Sequence, residues 1–185
     1  ALKLNPFTNP DYTIEDSLVT TNPEVISVAD EQVVITAKIL NIGRAINDSI
    51  DILIQHQLPD NSVNILATRR IKATLYEDTI QIPLMINALQ HKGLNKISVT
   101  IDTGNEVSEL SETNNTITKE FTVIADEIRP VFPYQYSIVN DGPGLAIYGT
   151  TADQFSSEKE YVMEMDTTRL FNSSFKITRS VFDSG

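Results

Sequence analysis

The chain has 185 residues, no cysteine, and a formal net charge of −11 from 25 acidic and 14 basic residues. The lack of cysteine excludes disulfides, thiolate zinc sites and a cysteine nucleophile within these residues. The acidic balance argues against a nucleic-acid partner and against an anionic membrane surface. The apolar fraction of 41% suffices for a packed core, and no apolar run approaches the roughly 20 residues of a membrane helix. We expect a globular piece of a longer polypeptide, without membrane insertion.

The first 32 residues are broken by three Asn-Pro steps, at 5–6, 9–10 and 22–23. Proline moves the preceding residue away from helical backbone, so strands and turns are expected here. Tyr12, Ile14 and Leu18 have the spacing of a first short strand. The chain therefore enters its first domain in extended form.

Period-2 alternation of apolar and polar residues then recurs along the chain, and this pattern is typical of half-buried strands. The strands predicted after the first are 33–40, 50–55, 63–70, 80–84, 97–101 and 117–123. A short helix is predicted at 87–91, with Gly93 as its stop. About seven strands separated by turns indicate an all-β, immunoglobulin-like sandwich over residues 1–125.

A charged segment with a proline, residues 125–130, marks a boundary after the last of these strands. Four more strands are predicted beyond it, at 131–139, 145–151, 160–167 and 175–182. About 55 residues are few for a complete sandwich. We expect residues 126–185 to be a second β unit, either truncated or packed on the first.

Two motifs resemble the CARDB family, the cell-adhesion-related domain found in bacteria. The segment 36–45 ends a strand in Asn41-Ile-Gly43, and the segment 101–115 follows about 60 residues later. In the second segment the matching positions are Asp102, Asn105, Glu109, Glu112, Asn114 and Asn115. The resemblance covers residues from about 11 to 124. The chain departs from the family at 80–84, where an aromatic strand is usual.

The resemblance implies a seven-stranded sandwich from multidomain surface or secreted proteins of bacteria and archaea, with no catalytic activity. The tail, residues 131–174, is more distantly similar to segments of large secreted Bacteroidetes proteins. Some of those proteins carry a gingipain-type cysteine peptidase domain elsewhere in their chains. Because this chain has no cysteine, no catalytic residue can be carried over.

An acidic hairpin between the last two strands of the sandwich supplies the candidate metal ligands. Side-chain oxygens are offered by Asp102, Asn105, Glu109 and Glu112, and Ca²⁺ takes six to eight oxygen ligands. In the alternative interpretation, Asp102 and Asn105 cap a turn, Asn114 and Asn115 do the same before the last strand, and the glutamates are solvated. Calcium is the one cofactor hypothesis.

Two further positions invite comparison with ligand sites. Gly43 is expected to supply a positive φ at a strand end, and Asn41 to bond a neighbouring loop. His56 and His91 are far apart in sequence without metal-ligand spacing, so we expect both at the surface or at strand ends.

A basic cluster and a group of tyrosines are both expected to have structural roles rather than binding roles. The basic cluster Arg69, Arg70 and Lys72 is expected to be a solvated edge that discourages strand aggregation. The tail concentrates Tyr134, Tyr136, Tyr148 and Tyr161, which are expected in a core rather than on a sugar-binding face.

The sequence thus predicts a non-catalytic module of an extracellular or cell-surface protein. Its partners would be neighbouring domains of its own polypeptide, a cell-surface protein or a polysaccharide. The main hypothesis is a spacer or an adhesion and protein-interaction domain. The alternatives are a carbohydrate-binding module and an accessory domain of a secreted peptidase.

Overall fold

The computed structural model describes residues 7–125, 127–134, 137–139, 144, 146–151 and 157–184. The chain divides into two compact units, residues 1–125 and 126–185. Almost all regular structure is β, which confirms the predicted all-β class. No helix among the described residues is long and apolar enough to cross a membrane.

From residue 7 onward the first unit contains nine strands, of which two are only two residues long. They are β1 Tyr12–Thr13, β2 Val19–Asn22, β3 Ile26–Ser27, β4 Gln32–Asn41, β5 Ser49–Gln57, β6 Val63–Lys72, β7 Glu77–Met85, β8 Gly93–Ile101 and β9 Thr116–Ile124. A helix, α1 Ala88–His91, precedes β8, and its cap is the Asn87 side chain, which accepts the Leu89 N–H. The structure therefore confirms the predicted short helix and the six long strands.

These strands form two sheets. In one sheet β4 pairs with β1, β2 and β7, and the other has the order β3-β9-β8-β5-β6. All pairings are antiparallel except β3 with β9, which is parallel. Proline at position 83 lies in β7, an edge strand, where a missing ladder donor is tolerated.

The core lies between the sheets and consists mainly of branched aliphatic side chains. Alternation puts every second residue of β4 and β5 inside, with Ile35, Ile39, Ile50, Ile52 and Ile54 at most 1% exposed. β-branched residues fit the pleated surface well, and their burial at roughly 25 cal/mol per Å² drives folding. The two sheets thus form a well-packed body from which loops project at either end.

The described residues of the second unit form two separate hairpins. One pairs β10 Ile128–Phe132 with β11 Tyr148–Thr151, and the other pairs β12 Lys159–Met165 with β13 Ile177–Asp183. The strand predicted at 131–139 is wrong in position: it begins at Ile128 and ends at Phe132, where a Pro follows. The apolar pair Ile138-Val139 resembled part of a strand in the sequence, but Ile138 is fully exposed in the structure.

Candidate functional site

The entry segment, residues 9–14, is held against two loops at one end of the sandwich. Its backbone accepts the Leu110 and Ile42 N–H groups at 2.9 Å, through Pro10 and Asp11. The Ile14 N–H donates to the Asn114 carbonyl at 3.2 Å. Because the first strand is only two residues long, these hydrogen bonds are the main contacts that hold the entry segment against the sandwich.

Asn41 is the centre of this arrangement and is 3% exposed. Its Oδ1 accepts the Asp11 N–H at 3.1 Å and the Gly43 N–H at 3.0 Å. Its Nδ2 donates to the Thr74 carbonyl at 2.9 Å and to the Arg44 carbonyl at 3.3 Å. The Asn41 side-chain amide therefore makes four hydrogen bonds, and these join three separate segments of the chain. The expectation that Asn41 hydrogen-bonds to a neighbouring loop is confirmed.

Gly43 is needed for a different reason from the one its sequence position indicated. The expectation of a positive φ is wrong, because Gly43 is not among the described glycines with that backbone conformation. A Cβ built on Gly43 would lie 2.6 Å from the backbone of Asn9, Pro10 and Asp11. Only glycine lets the entry segment pass this close to the turn.

The acidic hairpin, residues 102–115, is fastened by its own carboxylates. Asp102 is buried with φ 48°, and its oxygens accept the Glu106 N–H at 3.1 Å and the Val107 N–H at 2.9 Å. Glu112 accepts the Glu109 N–H at 3.0 Å. The interpretation of Asp102 as a turn cap is confirmed, whereas Asn105 joins the turn through its backbone N–H to the Asp102 carbonyl.

Glu109 joins the hairpin to the entry segment from a buried position. Its Oε2 accepts the Tyr12 N–H at 2.5 Å, and its Oε1 accepts the Asn115 Nδ2 at 2.7 Å. The expectation that Glu109 is solvated is therefore wrong. Burial, with the nearby charges of Glu112 and Asp102, raises the pKa of Glu109 to about 7, although the two hydrogen bonds act in the opposite direction.

The four candidate calcium ligands differ in burial and in hydrogen bonding. Asn105 and Glu112 are exposed, whereas Asp102 and Glu109 are buried and turned toward N–H donors. Among the described residues, no three His, Asp or Glu side chains are grouped so that they could hold a metal ion. In this geometry the carboxylates do not fit a shared ion, and calcium binding by the hairpin stays a prediction.

The opposite end of the sandwich contains a buried histidine pair that the sequence spacing did not indicate. His56 of β5 and His91 of α1 have ring centroids 5.1 Å apart in an edge-on contact. Both are buried, so neither lies at the surface; His56 does lie at a strand end, one residue before the end of β5, as the alternative expectation had it. Phe121 stacks on the other side of His56 with centroids 5.9 Å apart.

Asn95 determines the tautomer of His56. The Asn95 Nδ2 donates to the carbonyls of His91 and Gly93 at 2.6 and 2.9 Å, so its Oδ1 must accept from His56 Nε2 at 2.9 Å. His91 Nδ1 accepts the Asn87 N–H at 3.1 Å. His56 thus carries a proton on Nε2, and His91, whose Nδ1 accepts, is the neutral tautomer with its proton on Nε2. Burial lowers the pKa of both histidines, and the His56 ring lowers that of His91 further.

Replacing Glu109 by glutamine is expected to stabilise the protein above neutral pH. A raised folded-state pKa means that this group's contribution to stability is present below pH 4.5 and is lost as the pH rises to about 7. Glutamine at position 109 keeps an acceptor for the Tyr12 N–H. If the Asn115 amide flips, the glutamine Nε2 can donate to the Asn115 Oδ1, which has no partner among the described residues. The gain in unfolding free energy should be near zero at pH 4.5 and about 1–2 kcal/mol at pH 8.

Urea denaturation of both proteins from pH 4.5 to pH 8 measures this difference. Glu24→Gln is the matched control, since Glu24 is an exposed glutamate of the same unit. A Glu109→Gln gain that is the same at every pH would contradict the buried-carboxylate assignment.

Acidification is expected to destabilise the sandwich through the histidine pair. A lowered folded-state pKa means that the stabilisation is present above pH 6.5 and is lost as the pH falls. In a Glu109→Gln background, which removes the opposing glutamate effect, the unfolding free energy should fall between pH 7.5 and pH 5. Replacing both His56 and His91 by glutamine removes every histidine of the chain and should abolish that fall. An unchanged fall would assign the acid sensitivity elsewhere.

Comparison with known proteins agrees with this architecture. The CARDB family model matches residues 9–119, which include the entry segment, Asn41 and the acidic hairpin. No curated protein matches the chain. A CARDB domain from Pyrococcus furiosus, crystallised in complex with di-metal ions, has a TM-score of 0.53 at 20% sequence identity, and the match covers 65% of this chain and 99% of that domain.

Two other solved structures are similar at lower scores. The solution structure of the CARDB domain from Pyrococcus furiosus has a TM-score of 0.47 at 19% identity, and the match covers 63% of this chain and 96% of that one. A sensor domain of an anti-sigma factor from Pseudobacteroides cellulosolvens has a TM-score of 0.39 at 12% identity, with 70% and 99% covered. Because the family model matches more than half of the residues, this chain belongs to the CARDB family.

Proposed function

We propose that the first unit is a non-catalytic spacer of an extracellular protein, which holds the segments at its two ends a fixed distance apart. The observation that carries this proposal is the position of its two chain ends. The entry segment bonds to Asn114, beside the start of β9, and the chain leaves at Ala125, just after β9 ends. The nine residues of β9 span about 30 Å.

Both ends are tied into the sheets, as a stiff connector requires. The entry segment is fixed by Asn41 and Glu109. The end of β9 is fixed by the parallel strand β3, and the Val28 N–H donates to the Ile124 carbonyl at 2.9 Å. A pull on either end would therefore be carried by the hydrogen-bonded strands rather than by a loose loop.

Spin-label distances test this proposal, and the chain is convenient because it has no native cysteine. Labels at Thr8→Cys and Thr122→Cys lie at opposite ends of the sandwich, and both sites are exposed. Pulsed EPR should give one narrow distance distribution near 30 Å. The pair Thr116→Cys and Thr122→Cys, both on β9, measures the width that the labels alone contribute. A distribution much broader than this control would overturn the spacer proposal.

The location outside the cell rests on family membership, since CARDB domains are associated with cell surfaces. In the adhesion role, the module would bind a partner in addition to acting as a spacer. This role predicts a specific contact surface on the module. The accessory role beside a secreted peptidase stays a prediction from the distant likeness of the tail. Fractionation of the producing cells, with detection by an antibody against this chain, would test the location.

The carbohydrate-binding alternative fits the second unit less well. Tyr134 and Tyr148 are 69% and 61% exposed, so their expected burial is wrong, while Tyr136 lies outside the described residues. The two rings flank Phe132 at interplanar angles of 78° and 54°. A sugar-binding platform needs rings that share a plane, and neither tyrosine ring is coplanar with Phe132.

Calcium is tested separately, since a related CARDB domain was crystallised with di-metal ions. The network of N–H donors around Asp102 and Glu109 predicts that millimolar CaCl₂ leaves the melting temperature within about 1 °C of the value in EDTA. A rise of several degrees would show that the hairpin rearranges to bind the ion. Asp102→Asn should then abolish that rise, and MgCl₂ at the same concentration controls for ionic strength.

A further inference from the structure

The five-stranded sheet ends in a long free edge. Its last strand, β6, has ten residues and pairs with β5 alone among the described strands. The opposite edge of the same sheet is β3, which has only two residues. A free edge carries a row of unpaired backbone N–H and C=O groups that can pair with another strand.

The side chains of β6 alternate between the two faces of the sheet. This alternation determines which residue types a strand paired with β6 needs at each position. Ala67, Arg69 and Ile71 lie opposite the inward-facing residues 54, 52 and 50 of β5, so all three are on the inner face. Arg69 nevertheless stays exposed, and no carboxylate among the described residues pairs with it or with Lys72. Arg70, on the outer face, is already paired with two carboxylates.

A groove of about 460 Å³ opens beside this edge, between β6 and β7. Ile71 and Ile80 contribute apolar walls, and Arg69 and Lys72 contribute positive charge. Glu77 and Asp78 of β7 also line the groove, and the Glu77 carboxylate is paired with Lys38 at 3.1 Å. Side chains from a strand added to β6 would enter this groove on the inner face.

We propose that the β6 edge binds an extended acidic segment of a partner protein by antiparallel strand addition, with an acidic residue opposite Arg69 and apolar residues opposite Ile71 and Ala67. Residues directly opposite on one face interact most strongly. A second acidic residue three positions before the first would lie opposite Lys72. The chain as a whole carries a net charge of −11 and repels such a segment, so these cations confine its binding to this edge.

The proposal goes beyond the role of these cations as protection against aggregation. They oppose pairing with neutral or basic strands, because a cation on an edge loses water without gaining a partner. An acidic strand supplies that partner. Arg69 and Lys72 therefore select one class of strand while rejecting others.

A fluorescent peptide with the sequence Thr-Glu-Val-Thr-Glu-Thr-Val-Thr tests this register. Its first glutamate faces Lys72 and its second faces Arg69 when it pairs antiparallel to β6. In fluorescence anisotropy with the intact chain, it should bind at least about tenfold more tightly than a matched peptide with lysine at both positions. The variant Arg69→Glu with Lys72→Glu should reverse this preference, and its melting curve controls for folding.

Amide hydrogen exchange separates strand addition from simple charge attraction. The bound peptide should protect β6 amides that face away from β5. Equal binding of the two peptides, no binding at about 1 mM, or binding without protection of β6 would each overturn the proposal.

Discussion

Replacing Asn41 by alanine is expected to lower the free energy of unfolding by about 4 kcal/mol. The substitution removes four hydrogen bonds from a buried amide. It leaves the N–H groups of Asp11 and Gly43 and the carbonyl of Thr74 without that partner, and unpaired buried groups are costly. Chemical denaturation followed by circular dichroism measures the loss.

Two further variants make this result specific. Asn47→Ala replaces an exposed asparagine of the loop that follows Asn41 and should change stability by less than about 0.5 kcal/mol. Asn41→Asp keeps the acceptor for Asp11 and Gly43 but loses the donor to Thr74, so its cost should be intermediate. An Asn41→Ala protein as stable as the wild type would show that the amide does not hold the entry segment.

Gly43→Ala is expected to cost about 3 kcal/mol, although it adds only one methyl group. The new Cβ would meet backbone atoms of Asn9, Pro10 and Asp11 at 2.6 Å, a distance at which the entry segment must move away. Movement there also strains the hydrogen bonds from Asn41 and Glu109. Urea denaturation and the width of the Thr8–Thr122 spin-label distribution both report the change.

Gly104→Ala is the matched control. A Cβ at Gly104 would lie 3.2 Å from the Cγ of the Glu106 side chain, which is flexible and can move aside. Its cost should be well under 1 kcal/mol. If the two alanine variants were equally stable, the close approach at Gly43 would not be a constraint on the fold.

The strands could be predicted from sequence because their faces differ so sharply in burial. In β4 and β5 buried residues alternate with more exposed ones, and the buried positions within 33–39 and 50–54 are all apolar, as the sequence alternation indicates. The β10 strand could not be placed in the same way. All five of its residues are exposed, so burial imposes no alternation on it.

Local parts of the site were also predictable. Asp102 caps a turn through amides four and five residues ahead, and such bonds depend only on nearby sequence. The bond between Glu109 and the Tyr12 N–H joins residues 97 positions apart, and the two histidines are 35 apart. These contacts arise from the pairing of the sheets, which no local pattern encodes.

Gly43 illustrates the same limit at a single residue. A glycine after a strand commonly signals a positive φ, and that signal is local. Here glycine is required by a segment more than thirty residues earlier in the chain. The sequence therefore correctly indicated that position 43 needs glycine. The reason, which is the close approach of the entry segment, could be found only from the structure.

Amide hydrogen exchange at Tyr12 and Ile14, measured by NMR on the intact chain, tests the rigid-spacer account most directly. Their N–H groups donate to Glu109 and to Asn114, so their exchange reports whether the entry segment stays fastened. The account predicts that both exchange with the same opening free energy as the amides at the centre of β5. Exchange orders of magnitude faster than in β5 would show that the segment opens on its own, and the module could not hold its two ends a fixed distance apart.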